Sequence, residues 1–236
     1  MPIFKKRDPT LYTMVVEGKP LTYRYIHKAG STNGKIPLLI GLHGHGSDES
    51  QIASLVGLDI DQPHIYMAPR GFIALADGGF SWFALKQTSL GFEADADSVQ
   101  RGLARLAAFI SLAVKATNTH TEQVYLIGYS MGGGMSLAFT LAYPHLIAGA
   151  VSMAGQLTPS MRHPTANPQA LMGKPLFIGH GIFDSFISVE AVQTMRDQFV
   201  EMGSHVTYRE YPIPHVVSAA ERQDVSRWMT SQMSHQ

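Results

Sequence analysis

The sequence predicts an α/β fold: a mostly parallel central sheet with helices on both faces and an antiparallel hairpin at its N-terminal side. Three observations predict it. Short apolar runs recur along the chain, several bounded by Gly or Pro. Helical patterns alternate with them, and one junction between run and helix is rich in glycine. Strands that alternate with helices imply parallel pairing, and strands covered on both faces read as continuous apolar runs rather than alternating ones.

The elements follow in order. Thr10 to Glu17 and Leu21 to His27 are β-prone and separated by Gly18, Lys19 and Pro20, which predicts a hairpin turning at those three residues. The buried-strand runs are Ile36 to Leu42, His64 to Ala68, Gln123 to Gly128, Ile147 to Met153, Pro175 to Ile178 and His205 to Tyr211. Helical patterns cover Gln51 to Val56, Asp97 to Thr117, Gly133 to Ala142, Val189 to Met202 and Ala219 to Gln232. In the second of these, Val99, Leu103, Leu106, Ile110 and Val114 keep three- and four-residue spacing. Asp95 or Asp97 stands where an N-cap or first-turn carboxylate belongs. The same Asp-Ala-Asp could be read as a cation site, but Ca²⁺ takes about six or more oxygens and no further ligands lie nearby in sequence. Pro69 to Ala94 lacks periodicity and carries Phe72, Phe80, Trp82, Phe83 and Phe92; long irregular segments of this kind tend to be functional.

Composition narrows the function. The 236 residues suit one domain, 1–236, with no separate lid. Lys plus Arg equal Asp plus Glu at 18 each, so no basic field exists to hold nucleic acid or an anionic membrane. With 45% hydrophobic and 15% charged residues the chain is too apolar for disorder. The absence of cysteine removes disulfides, thiolate metal sites and a cysteine nucleophile. Lys5, Lys6 and Arg7 are not followed by a signal-peptide apolar stretch, and no segment reaches the roughly 18 apolar residues of a membrane helix. The expectation is a soluble cytoplasmic protein without membrane insertion.

Gly128-Tyr129-Ser130-Met131-Gly132 carries the chemistry. The G-x-S-x-G pattern alone is weakly specific, but here it directly follows a strand-like run and directly precedes a helical pattern, the setting of a nucleophile elbow. The small residues let strand and helix meet at a sharp corner that lifts the serine hydroxyl clear of the sheet. A phosphate loop is the rival reading, and it lacks the G-x-x-x-x-G-K-[ST] lysine. A serine hydroxyl needs a base and a carboxylate that fixes the base's tautomer. In chain order the acid and then the histidine should follow. Asp184 lies just past the run Leu176 to Ile178, and His215 follows Pro212-Ile213-Pro214 at the end of another strand. Glu190, Asp197 and Glu210 compete with Asp184, but they fall within helix or strand patterns. His43-Gly44-His45-Gly46 follows the third run and suits the loop that gives one oxyanion-hole N–H, from His45, while Met131 gives the other. His43 and His45 as metal ligands is the alternative, which wants a third protein ligand. His43 and His180 are expected to brace loops. Trp82 and Phe83 are expected to line an apolar substrate pocket, the alternative being that they pack their loop onto the core; Phe80 and Phe186 are not assigned to it.

Taken together, Leu42 to Gly46, Met67-Ala68-Pro69, Ser81-Trp82-Phe83, Gly128 to Gly133, His180-Gly181 with Asp184, and His215 make the chain from about Ile36 onward resemble the phospholipase/carboxylesterase family of α/β-hydrolases, which includes the acyl-protein thioesterases. The resemblance implies Ser130 as nucleophile, Asp184 as acid, His215 as base and an oxyanion hole from the His45 and Met131 amides. It implies hydrolysis of small to medium carboxylic esters, with thioesters as the related class, through an acyl-enzyme and with no metal or organic cofactor. Two positions depart from the family pattern: Pro214 precedes His215 where Gly is frequent, and Ser188 stands four residues after Asp184 where Pro is frequent. Rival readings of the same shell are an idle ligand-binding protein, against which the intact Ser, Asp and His weigh, and a small amidase or peptidase.

Overall fold

The structure, a computed structural model, describes residues 10–28, 36–57, 60, 62–88, 91–162 and 168–234. Lys5, Lys6 and Arg7 lie outside them. The strands are β1 (Leu11–Val16), β2 (Lys19–Lys28), β3 (Leu38–Leu42), β4 (His64–Pro69), β5 (Ile73–Ala74), β6 (Phe80–Ser81), β7 (Leu85–Thr88), β8 (Gly91–Ala94), β9 (Val124–Tyr129), β10 (Gly149–Met153), β11 (Pro175–Gly181) and β12 (His205–Tyr211). The α-helices are α1 (Ala96–Thr117), α2 (Met131–Ala142), α3 (Val189–Glu201) and α4 (Ala219–Ser234).

Eight strands form one sheet in the order β1-β2-β4-β3-β9-β10-β11-β12. From β4 to β12 every neighbour is parallel, whereas β1 pairs antiparallel with β2 and β2 antiparallel with β4. The inner strands bury both faces, and their side chains alternate between two cores as a two-residue period requires. Leu38, Ile40, Leu42, Val124, Leu126, Leu176 and Ile178 face a core shared with α1, α2 and α3. Leu39, Tyr125, Ile127, Val151 and Phe177 face a second core closed by Val225, Trp228 and Met229 of α4. This explains why these strands read as unbroken apolar runs.

The hairpin turns one residue earlier than expected. Glu17 and Gly18 both have positive φ, 51° and 74°, and Val16 pairs with Lys19, as in a two-residue turn whose twist suits a hairpin. Lys19 and Pro20 therefore belong to β2. Proline is tolerated there because pairing of β2 with β4 begins only at Tyr23. Gln51 to Val56, expected as a helix, widens into a π turn over Ala53–Gly57. The aperiodic stretch from Pro69 onward folds as two small hairpins, β5 with β6 and β7 with β8. Asp95 caps α1 by accepting the Ser98 N–H at 2.8 Å, and its other oxygen pairs with Lys86 of β7, so a helix cap and an ion pair occupy the two oxygens. No helix among the described residues is long and apolar enough to cross a membrane.

Candidate active site

Parallel strands end on one edge of the sheet, and the expected site residues gather there. Ser130 lies between β9 and α2 with φ 53° and ψ −118°, a backbone region that L residues seldom adopt. The corner is held open by glycine: a Cβ on Gly132 would collide with the Leu42 carbonyl, and one on Gly128 with the Gly132 carbonyl. The Ser130 N–H donates to the Met153 carbonyl at 2.8 Å, tying the corner to the end of β10.

The serine hydroxyl lies 2.8 Å from His215 Nε2, and His215 Nδ1 lies 2.6 Å from Asp184 Oδ2. The Asp184 side chain is sealed from solvent, and its other oxygen accepts the N–H groups of Phe186 at 2.8 Å and Ile187 at 3.0 Å. Burial alone would raise its pKa; the bonds from His215, Ile187 and Phe186 outweigh burial and hold the carboxyl below its ordinary value. An acceptor-only carboxylate requires the proton of a neutral His215 to sit on Nδ1. Nε2 is then left to accept from Ser130, the arrangement in which the imidazole can take the hydroxyl proton.

The competing carboxylates are engaged elsewhere. Asp197 pairs with Arg196 at 2.8 Å, Glu210 accepts from Gln193 at 2.7 Å and Tyr208 at 2.9 Å, and Glu190 lies in the first turn of α3. Ser188, one of the two departures from the family pattern, caps α3 through the Ala191 N–H at 3.3 Å.

The loop after β3 lies against the elbow: an ideal Cβ on Gly44 would stand 3.5 Å from Ser130 Cβ. The Gly44 N–H is engaged by Gln51 Oε1 at 2.7 Å and the Gly46 N–H by the Phe80 carbonyl at 3.0 Å. Between them the His45 N–H has no acceptor among the described residues, and neither has the Met131 N–H at the start of α2. Unengaged amides on the two segments that meet at the elbow are what the expected oxyanion hole requires. The exposed His45 ring lies 3.3 Å from the Ser81 hydroxyl.

His43 braces this loop. Its Nε2 accepts the Gly71 N–H at 2.8 Å, which puts its proton on Nδ1, facing the Gly44 carbonyl at 2.7 Å. Burial lowers its pKa, so both nitrogens are committed to backbone in the neutral form. His180 acts similarly on the acid's loop, with Nε2 2.9 Å from the Ile187 carbonyl. Trp82 and Phe83 are 1% and 3% exposed. The Trp82 indole N–H donates to the His43 carbonyl at 2.8 Å, and its ring lies tilted 4.9 Å from the His43 ring and edge-on to Phe72.

Phe186, left out of the expected pocket, is 81% exposed and holds its ring 5.3 Å from the His215 imidazole. Two further neighbours of the site escaped the sequence. The Tyr129 hydroxyl donates to the His215 carbonyl at 2.8 Å, a contact across 86 residues. Glu221 is buried below the site, its Oε1 without a partner. Ser218-Ala219-Ala220-Glu221 is a capping box, with the Glu221 N–H donating to the Ser218 hydroxyl at 3.1 Å and the Ser218 N–H bonded to the carboxyl.

Burial pushes the Glu221 carboxyl up to about 8; the Ser218 N–H opposes the rise and Asp224 adds to it. Tyr129 and Tyr211 feel its charge from the sheet side. A raised folded pKa means that the folded state keeps a proton which the unfolded chain releases. The resulting stability is fully present below the ordinary carboxyl pKa of about 4.3 and is lost as pH rises to about 8. Glu221→Gln removes this titration. At roughly 1.4 kcal/mol per pH unit, wild type should lose on the order of 4 kcal/mol relative to the variant between pH 4.5 and pH 8.5. Urea unfolding of both proteins across that range checks it; a difference that stays flat with pH sinks the assignment.

The sequence profile of the phospholipase/carboxylesterase family matches residues 29–232. Carboxylesterase SOBER1 of Arabidopsis thaliana is 26% identical over 152 residues, covering 63% of this chain and 66% of the relative. Acyl-protein thioesterase 1 of Neurospora crassa is 25% identical over 115 residues, 48% of this chain and 47% of the relative. The chain spans between 59% and 66% of the length of the Arabidopsis relatives it matches. The crystal structure of the Bacillus cereus carboxylesterase superposes with a TM-score of 0.75 over 89% of this chain and 94% of that one, at 23% identity, a likeness of fold. With its profile match covering most of the sequence and its sheet, elbow and strand order in keeping, the chain belongs to the phospholipase/carboxylesterase family.

Proposed function

We propose that this protein is a serine hydrolase of small to medium carboxylic esters, with thioesters within its chemistry. The observation that carries the reading is the continuous relay from Ser130 Oγ through His215 to the buried Asp184, at 2.8 and 2.6 Å, beside two free backbone amides. Ser130 attacks the ester carbonyl while His215 Nε2 takes its proton. The carbonyl oxygen becomes an alkoxide held by the His45 and Met131 N–H groups. His215 then protonates the leaving alcohol or thiol as the acyl-enzyme forms. Water, deprotonated by the same nitrogen, releases the acid and restores the hydroxyl. The carbonyl carbon enters as ester and leaves as acid, with no redox change. Kinship to a carboxylesterase and an acyl-protein thioesterase supports both substrate classes. The exposed Phe186 ring supplies apolar surface beside the imidazole for an acyl or alcohol group.

The test is rapid mixing with p-nitrophenyl esters from acetyl to octanoyl, alongside an acyl thioester. An initial burst near one p-nitrophenolate per chain is expected wherever deacylation is the slower step, with the acyl mass on the peptide that contains Ser130. No turnover of any ester or thioester, or an adduct on another residue, overturns the reading.

A further inference from the structure

We propose that a cavity against α1, lined in part by Trp82 and apart from the Ser130 site, binds a small organic anion with an apolar body, such as an aryl carboxylate. The cavity measures about 460 Å³ and is bounded by α1, the β1–β2 turn and β5. Its lining divides by chemistry. Arg101 and Arg105 stand one helical turn apart on α1, Lys19 projects from the start of β2, and Phe72, Ile73 and Trp82 supply apolar surface. Glu17 is the single carboxylate on the lining, leaving the cavity with two more positive than negative groups.

No carboxylate or hydrogen-bond acceptor claims these cations among the described residues. Neither arginine nor Lys19 makes an ion pair or hydrogen bond among the described residues. The Arg105 Nε is sealed from solvent without a hydrogen-bond partner among the described residues, as is that of Arg222 outside the cavity. The Arg105 guanidinium lies 5.0 Å over the Phe72 ring, and Phe72 meets Trp82 edge-on at 5.2 Å. A forked donor above an aromatic floor suits a planar carboxylate whose body lies on the rings. Surface structure alone asks for none of this, because arginines on an exposed helix face ordinarily point to water or to a carboxylate. Trp82, buried against Phe72, links the cavity to the loop carrying Gly44 and His45 through its 2.8 Å bond to the His43 carbonyl, so an occupant that moves Phe72 bears on that loop.

The chain has two tryptophans, Trp82 and Trp228, so the indole N–H signals of ¹⁵N-labelled protein report the two cores separately, with Trp228→Phe giving the assignment. Titration with benzoate should shift the Trp82 signal saturably and leave Trp228 still. Benzyl alcohol and inorganic phosphate should each bind at least about tenfold more weakly, since one lacks the charge and the other the ring. Arg101→Gln and Arg105→Gln, made separately, should each weaken benzoate by about fivefold or more with the unfolding temperature little changed. A silent Trp82 overturns the proposal. Equal binding of the alcohol removes the anion reading, equal binding of phosphate removes the apolar body, and an affinity unchanged in both arginine variants places benzoate elsewhere. None of these readouts depends on ester turnover, so failure of this proposal and failure of the hydrolase reading are separable.

Discussion

Ser130→Ala should lower ester turnover by roughly 10⁵- to 10⁶-fold, because the variant keeps the two free amides and the substrate surface but has no oxygen to attack with. The size follows from how the relay works as a unit: without the hydroxyl, His215 and Asp184 have no proton to move, and only oxyanion stabilisation of direct water attack is left. Folding should be spared. The site is only partly buried, and alanine carries the same Cβ through the unusual φ of 53° that serine already tolerates. A companion variant tests that backbone. In Ser130→Gly the residue enters a region open to glycine, so it should be about 1 kcal/mol more stable than Ser130→Ala, provided strain at the corner exceeds glycine's added entropy cost. Steady-state hydrolysis of p-nitrophenyl butyrate and urea unfolding of the three proteins give both numbers. Turnover within tenfold of wild type in Ser130→Ala would falsify the nucleophile assignment.

How far the sequence foretold this depends on how local the signal is. Ser130, Asp184 and His215 were legible because each follows a strand that declares itself by an apolar run, and strand ends of a parallel sheet share an edge. The glycines at 128 and 132 were legible for the same reason: the close approach they permit is between elements adjacent in sequence. The hairpin turn was misplaced because Pro20 reads as a breaker in isolation, and only the late start of β2–β4 pairing makes it admissible in a strand. The hairpins from β5 to β8 escaped because strands of two to four residues hold no measurable period. Long-range partnerships that no motif or chain order announces were beyond reach. Nothing near Tyr129 in sequence announces that its hydroxyl holds the His215 carbonyl, and nothing near Glu221 announces that a capping carboxylate is buried within electrostatic reach of Tyr129, Tyr211 and Asp224. Trp82 shows the same limit, since nothing in the irregular segment that holds it announces that its indole N–H faces the His43 carbonyl.

Asp184→Asn should cost about 10⁴-fold in kcat with KM changed only a few fold, and the hydrogen bonds around the carboxylate explain why so conservative an exchange acts so strongly. Oδ1 accepts two backbone N–H groups, from Phe186 and Ile187, while Oδ2 accepts the His215 Nδ1 proton. An asparagine must choose which atom becomes the amide nitrogen. Turned toward Phe186 and Ile187, its NH₂ would face two donors and leave both unsatisfied in a sealed site. Its carbonyl oxygen will therefore stay on those two amides, and its NH₂ will face His215. Nδ1 must then accept, the ring proton moves to Nε2, and His215 presents an N–H to Ser130 where an acceptor is required. The backbone geometry is kept while the tautomer is reversed, so substrate binding persists and proton transfer fails. Acid stability should change in parallel. Asp184 has a depressed folded pKa, so its contribution is present above the ordinary value of about 3.9 and is lost as pH falls through the folded one. That loss should be missing from the variant's unfolding profile below pH 4. Asp184→Ala separates the two effects, because it frees the Phe186 and Ile187 amides as well and should loosen the loop that Asp184→Asn preserves. If Asp184→Asn retained kcat within tenfold, His215 would have to be oriented by something other than Asp184. The Tyr129 hydroxyl on the His215 carbonyl would then be the next contact to remove.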